Sequence, residues 1–414
     1  MKRDPRSALG WIVVSLWFPL IGPLLYWLMG INRITRTARR WQESGRRLSS
    51  HDAFQAAHQT KSPPPIVGDT FHLKELRLLS DRIVSTPLTA GNRLAAFHNG
   101  DQAYPAMLES IASARHSIHL CTYIFDGDGT GKSFVEALSA AAARGVEVRV
   151  IVDGLGEKYS HPTARKLLQG SAVEIARFLP MRQGGHLNLR NHRKTLIIDG
   201  KAGFTGGMNI GGRHMVGLPE TSSPVVDMHF KVEGPVVADL QKVFLEDWFF
   251  VTGNFHDDER FFPLVPTTGP AQVRAIADGP DKTIRKLLWI IMGALSCAGE
   301  RVQIMTPYFI PDRALISAMI TTAMRGVDVS LILPANNNLP LVHWATRSYL
   351  WELLQSGIRI YYQPPPFVHT KLLLVDGLWS LIGSANLDPR SLRLNFELNL
   401  EIYDCQFTGL LECH

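Results

Sequence analysis

The chain has 414 residues, too many for one average domain and enough for two domains with an appendage. Apolar residues make up 45% and charged ones 19%, which supports a packed core. Four scattered cysteines (Cys121, Cys297, Cys405, Cys413) exclude a zinc ribbon or disulfide scaffold. The net charge of +6 divides into +7 over residues 1–50 and −1 over the rest, so the body lacks the basic surface that duplex nucleic acid demands, and no nucleic-acid partner is expected.

Ala8 to Ile31 is an uncharged run, ALGWIVVSLWFPLIGPLLYWLMGI, whose helical length of about 36 Å would cross a hydrocarbon core of about 30 Å. Trp11, Tyr26 and Trp27 stand towards its ends, where amphipathic rings favour the lipid–water boundary. The expectation is a transmembrane anchor. Pro19 and Pro23 must bend it, so a dip into one leaflet and back is the alternative. No small-x-small cleavage site follows, which argues against a signal peptide. Arg33, Arg36, Arg39, Arg40, Arg46 and Arg47 against Glu43 place the body on the cytoplasmic side of the membrane and attract anionic lipid, though a solvated basic linker is equally served.

After a Pro-rich linker, Thr60–Pro65, one supersecondary pattern occurs twice. SIHLCTYIF (117–125), a helical stretch 134–144 and VEVRVIVDG form the first copy. RVQIMTPYF (301–309), a helical stretch 314–325 and VDVSLILPA form the second, with RGVEVRVIV and RGVDVSLIL 181 positions apart. Strands alternating with helices predict α/β layers on a largely parallel or mixed sheet, with two repeats packed as a pseudo-two-fold dimer. The expected division is an anchor and basic segment over 1–50, a first domain over 66–268 and a second over 269–414.

Matching positions of the repeats carry the chemistry. His192, Lys194 and Asp199 are followed by Gly206, Gly207 and Asn209; His369, Lys371 and Asp376 are followed by Gly383, Ser384 and Asn386. Both copies read HxKxxxxD, then GxxN at the same offset, beyond what chance spacing yields. On a strand each His and its Lys share one face, and face-to-face repeats would bring all four into one cleft between them. Two lysines, Asn209 and Asn386, with Gly207 and Ser384 in the adjoining turns, suit a tetrahedral phosphate anion. One neutral histidine can attack phosphorus while the other, protonated, serves the leaving alkoxide. Asp199 and Asp376 complete the motifs but end the strands, and read as orienting the turn rather than reacting. Asp227 and Glu397, at comparable offsets beyond GxxN, are candidates for holding an imidazole in one tautomer, with a plain carboxylate role as the alternative. His229 reads as structural. No metal-ligand spacing is evident, and no cofactor is expected.

These residues resemble the phospholipase D superfamily, and the segments PLTAGNR (87–93), RNHRKTLIIDGKAGFTGGMNIGGR (190–213), FLEDWFF (244–250), TPYFIPD (306–312) and GSANLDPRS (383–391) are similar to its membrane-bound bacterial cardiolipin synthase branch. The resemblance implies transfer of a phosphatidyl group between two phosphatidylglycerol molecules through a phosphohistidine. It carries roles over to His192, Lys194, Asn209, His369, Lys371 and Asn386, with His192 favoured as nucleophile and the reverse permitted by symmetry. Location at the bacterial inner membrane, with the body cytoplasmic, follows from it. The first repeat ends in a long helix, 235–250, whereas only CQFTGLLECH follows the matching strand of the second. This is expected to leave part of the second core uncovered.

Alternatives remain at this stage: a hydrolase giving phosphatidic acid, a nuclease, or a lipid-binding protein without turnover. Trp289–Met292 reads either as a lipid-facing patch or as core, and His343, Trp344 and Tyr349 either line the cleft or pack.

Overall fold

The computed structural model describes residues 5–27, 51–52, 72–179, 189–218, 221, 223–279 and 285–413. Among these, no helix is long and apolar enough to cross a membrane. The apolar run is instead two helices, α1 (Pro5–Trp17) and α2 (Ile21–Leu25), and its last four residues, 28–31, lie outside the described ones. The proline at 19 explains the break, since a residue preceding proline is disfavoured in the helical region. α2 folds back on α1: the rings of Trp11 and Tyr26 meet edge-on with centroids 5.4 Å apart. A Cβ on Gly22 would lie 2.5 Å from Val14 O, so only glycine permits this approach. Over its described residues the run is thus a helical hairpin, most of whose large apolar side chains are exposed, and no single helix there confirms the transmembrane expectation.

In the body, α3 (Lys74–Ile83) precedes two copies of one fold. The first runs β1 (Thr89–His98), α4 (Asn99–Ser113), β2 (Ser117–Thr122), α5 (Gly129–Ala143), β3 (Glu147–Asp153) and β4 (Glu174–Phe178). It continues with β5 (Thr195–Ile198), β6 (Ala202–Gly206), β7 (Val225–Val226), β8 (Met228–Glu233) and α6 (Val237–Thr252). The second runs β9 (Ala271–Asp278), α7 (Lys286–Cys297), β10 (Arg301–Met305), α8 (Arg313–Met324), β11 (Asp328–Pro334) and α9 (Pro340–Gln355). It ends with β12 (Arg359–Gln363), β13 (Phe367–Val368), β14 (Leu372–Val375), β15 (Trp379–Gly383), β16 (Glu397–Tyr403) and α10 (Cys405–Glu412).

The repeat extends to helix ends. Asp128 caps α5 by accepting from Gly131 N, and Asp312 caps α8 by accepting from Leu315 N. Past the other end of each helix stands a glycine at positive φ, Gly145 at 88° and Gly326 at 91°, which turns the chain into the next strand.

The strands form one mixed sheet of fourteen, in the order β12-β11-β10-β14-β15-β16-β9-β1-β8-β6-β5-β2-β3-β4. The order reads the same from either end when β1 is matched to β9, β8 to β16 and so on outwards. The halves therefore join edge to edge, through antiparallel pairing of β1 with β9, and not by packing sheet against sheet as expected. Equivalent edges expose equivalent unpaired N–H and C=O groups, and a two-fold lets each satisfy the other. β7 and β13 form a separate short parallel ladder across the halves.

Helices cover the sheet. α6 packs a buried row including Leu240, Phe244 and Trp248 into a core shared between the halves. α10 is capped by Asp404 and buries Phe407 and Leu411 in that same core, so the short helix covers sheet that the sequence reading left open. α3 contributes Leu76 to the core of the second half, beside Leu287 and Ile291 of α7. On α7 itself, Ile290 and Ile291 are buried and Trp289 is half exposed, so the stretch 289–292 is mainly core.

Arg274 of β9 is fully buried and reaches Glu401 of β16 at 3.3 Å as well as Asp81 of α3. Burial pushes the Glu401 carboxyl up, against the pull of Arg274. Arg274→Met should lower stability by about 3–5 kcal/mol, because it strands a buried carboxylate. Adding Glu401→Gln should recover part of the loss in thermal melts; no recovery would mean that packing, not charge, makes the contribution.

Candidate active site

Each motif histidine sits just before a strand, not within it: β5 begins after Lys194 and β14 after Lys371. The reason is that the backbone here pairs with the opposite half. His192 N donates to Phe396 O at 2.9 Å, and His369 N donates to Val226 O at 2.7 Å. The residue after each of those carbonyls is a carboxylate, and it takes the histidine's side chain. His192 Nδ1 lies 3.0 Å from Glu397 Oε2, and His369 Nδ1 lies 2.8 Å from Asp227 Oδ2. The pairing is crossed, because each half supplies the carboxylate that orients the other half's imidazole. A carboxylate only accepts, so Nδ1 carries the proton in both rings and the Nε2 lone pair is the reactive one.

Both carboxylates are buried and held. Glu397 accepts from Ser384 Oγ at 2.5 Å and from Asn395 Nδ2 at 3.2 Å. Asp227 stands against Gly207, where a Cβ would lie 2.5 Å from both its oxygens. Burial alone would raise the Asp227 carboxyl, but Lys371 and His369 outweigh it and hold the group well below its ordinary value. Glu397 is likewise lowered, because His192 and Lys194 overcome its burial.

Lys194 and Lys371 are themselves buried. Nζ of Lys194 donates to His192 O at 2.6 Å; Nζ of Lys371 donates to His369 O and lies 3.2 Å from His369 Nε2. Burial, aided by Lys371, pushes Lys194 down to about 7. Burial brings Lys371 to about 8 against the pull of Asp227 and Glu397. Burial and the Lys371 charge lower His369 to about 3, and burial lowers His192, so the neutral form is favoured in both rings. Side-chain exposures of 13% for His192 and 12% for His369 leave each ring open to a ligand on one side.

Other expected residues serve different ends. Gly207 N donates to Met228 O at 3.3 Å, and Ser384 is fully buried on Glu397. Neither is placed to bind phosphate; both position carboxylates. Asp199 and Asp376 have φ of 53° and 54° and accept backbone N–H groups of residues 115–117 and 299–301, so they build turns, as read from their place in the motif. Asn209 Oδ1 accepts from Ile124 N at 3.1 Å, which leaves its NH2 as the donor; Asn386 Nδ2 reaches Ser391 Oγ at 3.4 Å. His229 is buried beside Gly206, structural as expected.

Two tyrosines complete the walls, and sequence reasoning passed over them. Tyr123 meets the His192 ring edge-on at 5.5 Å and lies under Lys194 Nζ at 5.6 Å. Tyr308 meets His369 edge-on at 6.1 Å. Their signal was available: both stand in the repeated segments CTYIF and TPYFI, directly after matching strands. Asp247 was also missed. It holds Arg193 at 2.5 Å and Asn191 at 2.9 Å, fixing the residues on either side of His192.

The family model described as "Cardiolipin synthase, PLD-like domain" matches residues 107–248 and 291–414, which include both motifs. The chain belongs to this family. A second model, "Phospholipase_D-nuclease N-terminal", matches residues 1–30. A cardiolipin synthase of Geobacillus thermodenitrificans is 32% identical over 419 residues, covering 99% of this chain and 82% of the relative. Cardiolipin synthase 2 of Bacillus anthracis is 33% identical over 409 residues, covering 97% and 79%. The fold is shared with phosphatidylserine synthase from Haemophilus influenzae at a TM-score of 0.63 and 16% identity, covering 81% of this chain and 88% of that one.

The crossed pairing makes a specific spectroscopic prediction. In 15N-histidine spectra, Asp227→Asn should change the His369 ring signals and spare those of His192, whereas Glu397→Gln should do the opposite. Pairing within each half would give the reverse assignment.

Proposed function

We propose that the chain is a phosphatidyltransferase that makes cardiolipin and glycerol from two phosphatidylglycerol molecules. The crossed pair of neutral, carboxylate-held histidines beside two buried lysines supports this most directly, and the relatives named cardiolipin synthase supply the substrate. A buried site with two cations and open imidazole edges suits one phosphodiester anion.

His192 Nε2 attacks phosphorus, and the P–O bond to glycerol breaks. His369 in its protonated form delivers its proton to the departing alkoxide, leaving a phosphatidyl group on His192. The terminal hydroxyl of a second phosphatidylglycerol then gives its proton to His369 and attacks phosphorus, and the P–N bond breaks to release cardiolipin. Lys371 Nζ lies 3.0 Å from His369 Nδ1 and 3.2 Å from its Nε2, besides donating to His369 O, and this proton donor beside the ring favours His369 as the proton carrier. The phosphodiester charge offsets the lysines and raises the basicity of His369 once substrate is bound. Each step uses only side chains.

The exposed hairpin α1–α2 and the arginines that follow it in sequence support contact with the inner membrane, the body lying on its cytoplasmic side. The divisions 1–50, 66–268 and 269–414 are proposed as anchor, first and second phospholipase D-like domains.

Purified chain in mild detergent, given phosphatidylglycerol alone, should yield cardiolipin and glycerol by mass spectrometry. His192→Ala and His369→Ala should each lose about a thousandfold or more of that rate. An acid-quenched digest should carry the phosphatidyl group on the His192 peptide; finding it on the His369 peptide would reverse the two roles. Phosphatidic acid as the main product would make the protein a hydrolase.

The lysines set a pH limit. Each must be protonated to receive the anion, and their values of about 7 and about 8 lie far below that of free lysine. Activity in terms of kcat/KM should therefore fall as pH rises through roughly 7 to 8, since that parameter reports the free enzyme. A profile flat to pH 9 would show that burial does not depress them.

A further inference from the structure

One place where the halves differ is the link between two parallel strands at the sheet's outer end. Between β3 and β4 the chain makes only short turns, Gly156–Tyr159 and Ala164–Leu167. Between β11 and β12 it inserts α9, sixteen residues long. The fold accounts for one face of α9: Thr346, Leu350 and Leu353 are buried, and Thr346 Oγ1 donates to Phe309 O at 2.8 Å. Among the described residues, nothing covers the other. Trp344 is 66% exposed, Trp351 59% and Leu341 76%, with Leu354 alongside. Seven residues apart, the two tryptophans differ by only about 20° around the helix and about 10 Å along it. Tyr361 and Tyr362 of the neighbouring edge strand β12 are also about half exposed.

Charge and position say what covers this surface. The one acid on α9, Glu352, is neutralised by Arg313 at 2.6 Å, while Arg347 is exposed. The start of α9 is tied to the reactive centre: Asn337 Nδ2 donates to Pro307 O at 2.9 Å, and Tyr308, whose ring meets His369, donates to Asn338 Oδ1 at 2.9 Å. Tryptophan and tyrosine with arginine and no free acid are the side chains of a lipid–water boundary.

We propose that α9, with Tyr362 of β12, is an interfacial docking surface for an anionic phospholipid bilayer, seating the His369 side of the cleft against the leaflet that supplies substrate. This rests on the phosphatidyl-transfer reading for the identity of the lipid, and is separate from the N-terminal hairpin. The hairpin keeps the protein at the membrane; α9 sets which face of the body meets it. A lipid then reaches the lysines without carrying its acyl chains through water.

The test uses the full chain and vesicles of phosphatidylglycerol containing acyl-brominated lipid. The tryptophan emission that Trp344→Phe/Trp351→Phe removes should be more than half quenched by bromines placed near the headgroup, and less by bromines at the chain ends. The ratio of turnover on vesicles to turnover on monodisperse short-chain phosphatidylglycerol should fall about tenfold in Trp344→Ser/Trp351→Ser, and should hold in Trp289→Ser, an exposed tryptophan of α7. Unquenched emission from the pair overturns the proposal, as does an unchanged ratio or an equal loss on both lipids. Self-association of the wild-type chain that the serine variant abolishes, without quenching, would assign the surface to a second copy and also overturn it. If the wild-type chain turns over neither lipid, the phosphatidyl-transfer reading fails, while quenching still decides the docking.

Discussion

The crossed bonds from His192 to Glu397 and from His369 to Asp227 are the constraint on which the rest of the structure depends. Each histidine belongs to one half by sequence and to the other by hydrogen bonding, through its backbone N–H as well as its ring. Neither half alone holds an oriented imidazole. The edge-to-edge junction of β1 with β9 and the small ladder of β7 with β13 therefore serve the site as much as the fold. A slip of one residue in such a ladder turns every side chain to the opposite face, so register here is chemical as well as structural. The glycines at the start of both GxxN segments belong to the same logic. A Cβ at Gly206 or Gly383 would strike the backbone of β8 or β16, the strands that carry or follow the carboxylates.

Burying four bases and two carboxylates together is costly, although with both imidazoles neutral the two lysines and the two carboxylates match in number. Asp227 and Glu397 are held ionised, which accounts for two negative charges, but these are spent on orienting imidazoles. Both lysines remain depressed despite them. A cleft in which cations are destabilised by burial and by each other is one that gains most from an anion placed between them. The same burial keeps the imidazoles neutral and the lysines depressed, so nucleophilicity and anion affinity come from one desolvated site.

Much of this was legible in the sequence because duplication turns single residues into pairs. The two HxK motifs, the GxxN offsets, Asp227 with Glu397 and the alternating strands all stand at matching positions, and all meet in the structure. What failed were statements about which groups touch. Gly207 and Ser384 look like phosphate ligands because they lie beside Asn209 and Asn386, yet both face carboxylates, a fact that depends on strands far away in the chain. The crossing itself is invisible from offsets, since pairing within or between the halves gives the same spacing. The apolar run shows a different limit. Its length counts towards a span, but the helix ends before Pro19 and the chain turns back on Gly22, so a local backbone rule overrode a hydropathy pattern. Tyr123 and Tyr308 join the site only through contacts with rings distant in the chain, which no local pattern displays.

Symmetry in the chemistry and asymmetry on the surface answer different demands. A phosphodiester is served equally well from either side, and the two halves present near-identical apparatus to it. A bilayer is not symmetric about the site, because lipid arrives from one direction with its chains behind it. The duplicated sheet offers two equivalent places to enlarge, the links β3–β4 and β11–β12, and only the second carries a long helix. That link lies beside Tyr308 and the histidine assigned to proton transfer, away from the half assigned to attack. On the proposed mechanism such a placement lets the acceptor hydroxyl enter past His369, while Tyr123 and Asp247 hold the surroundings of His192. Lipid access beside the proton-carrying histidine is what the proposed transfer, as opposed to hydrolysis, requires of the second half.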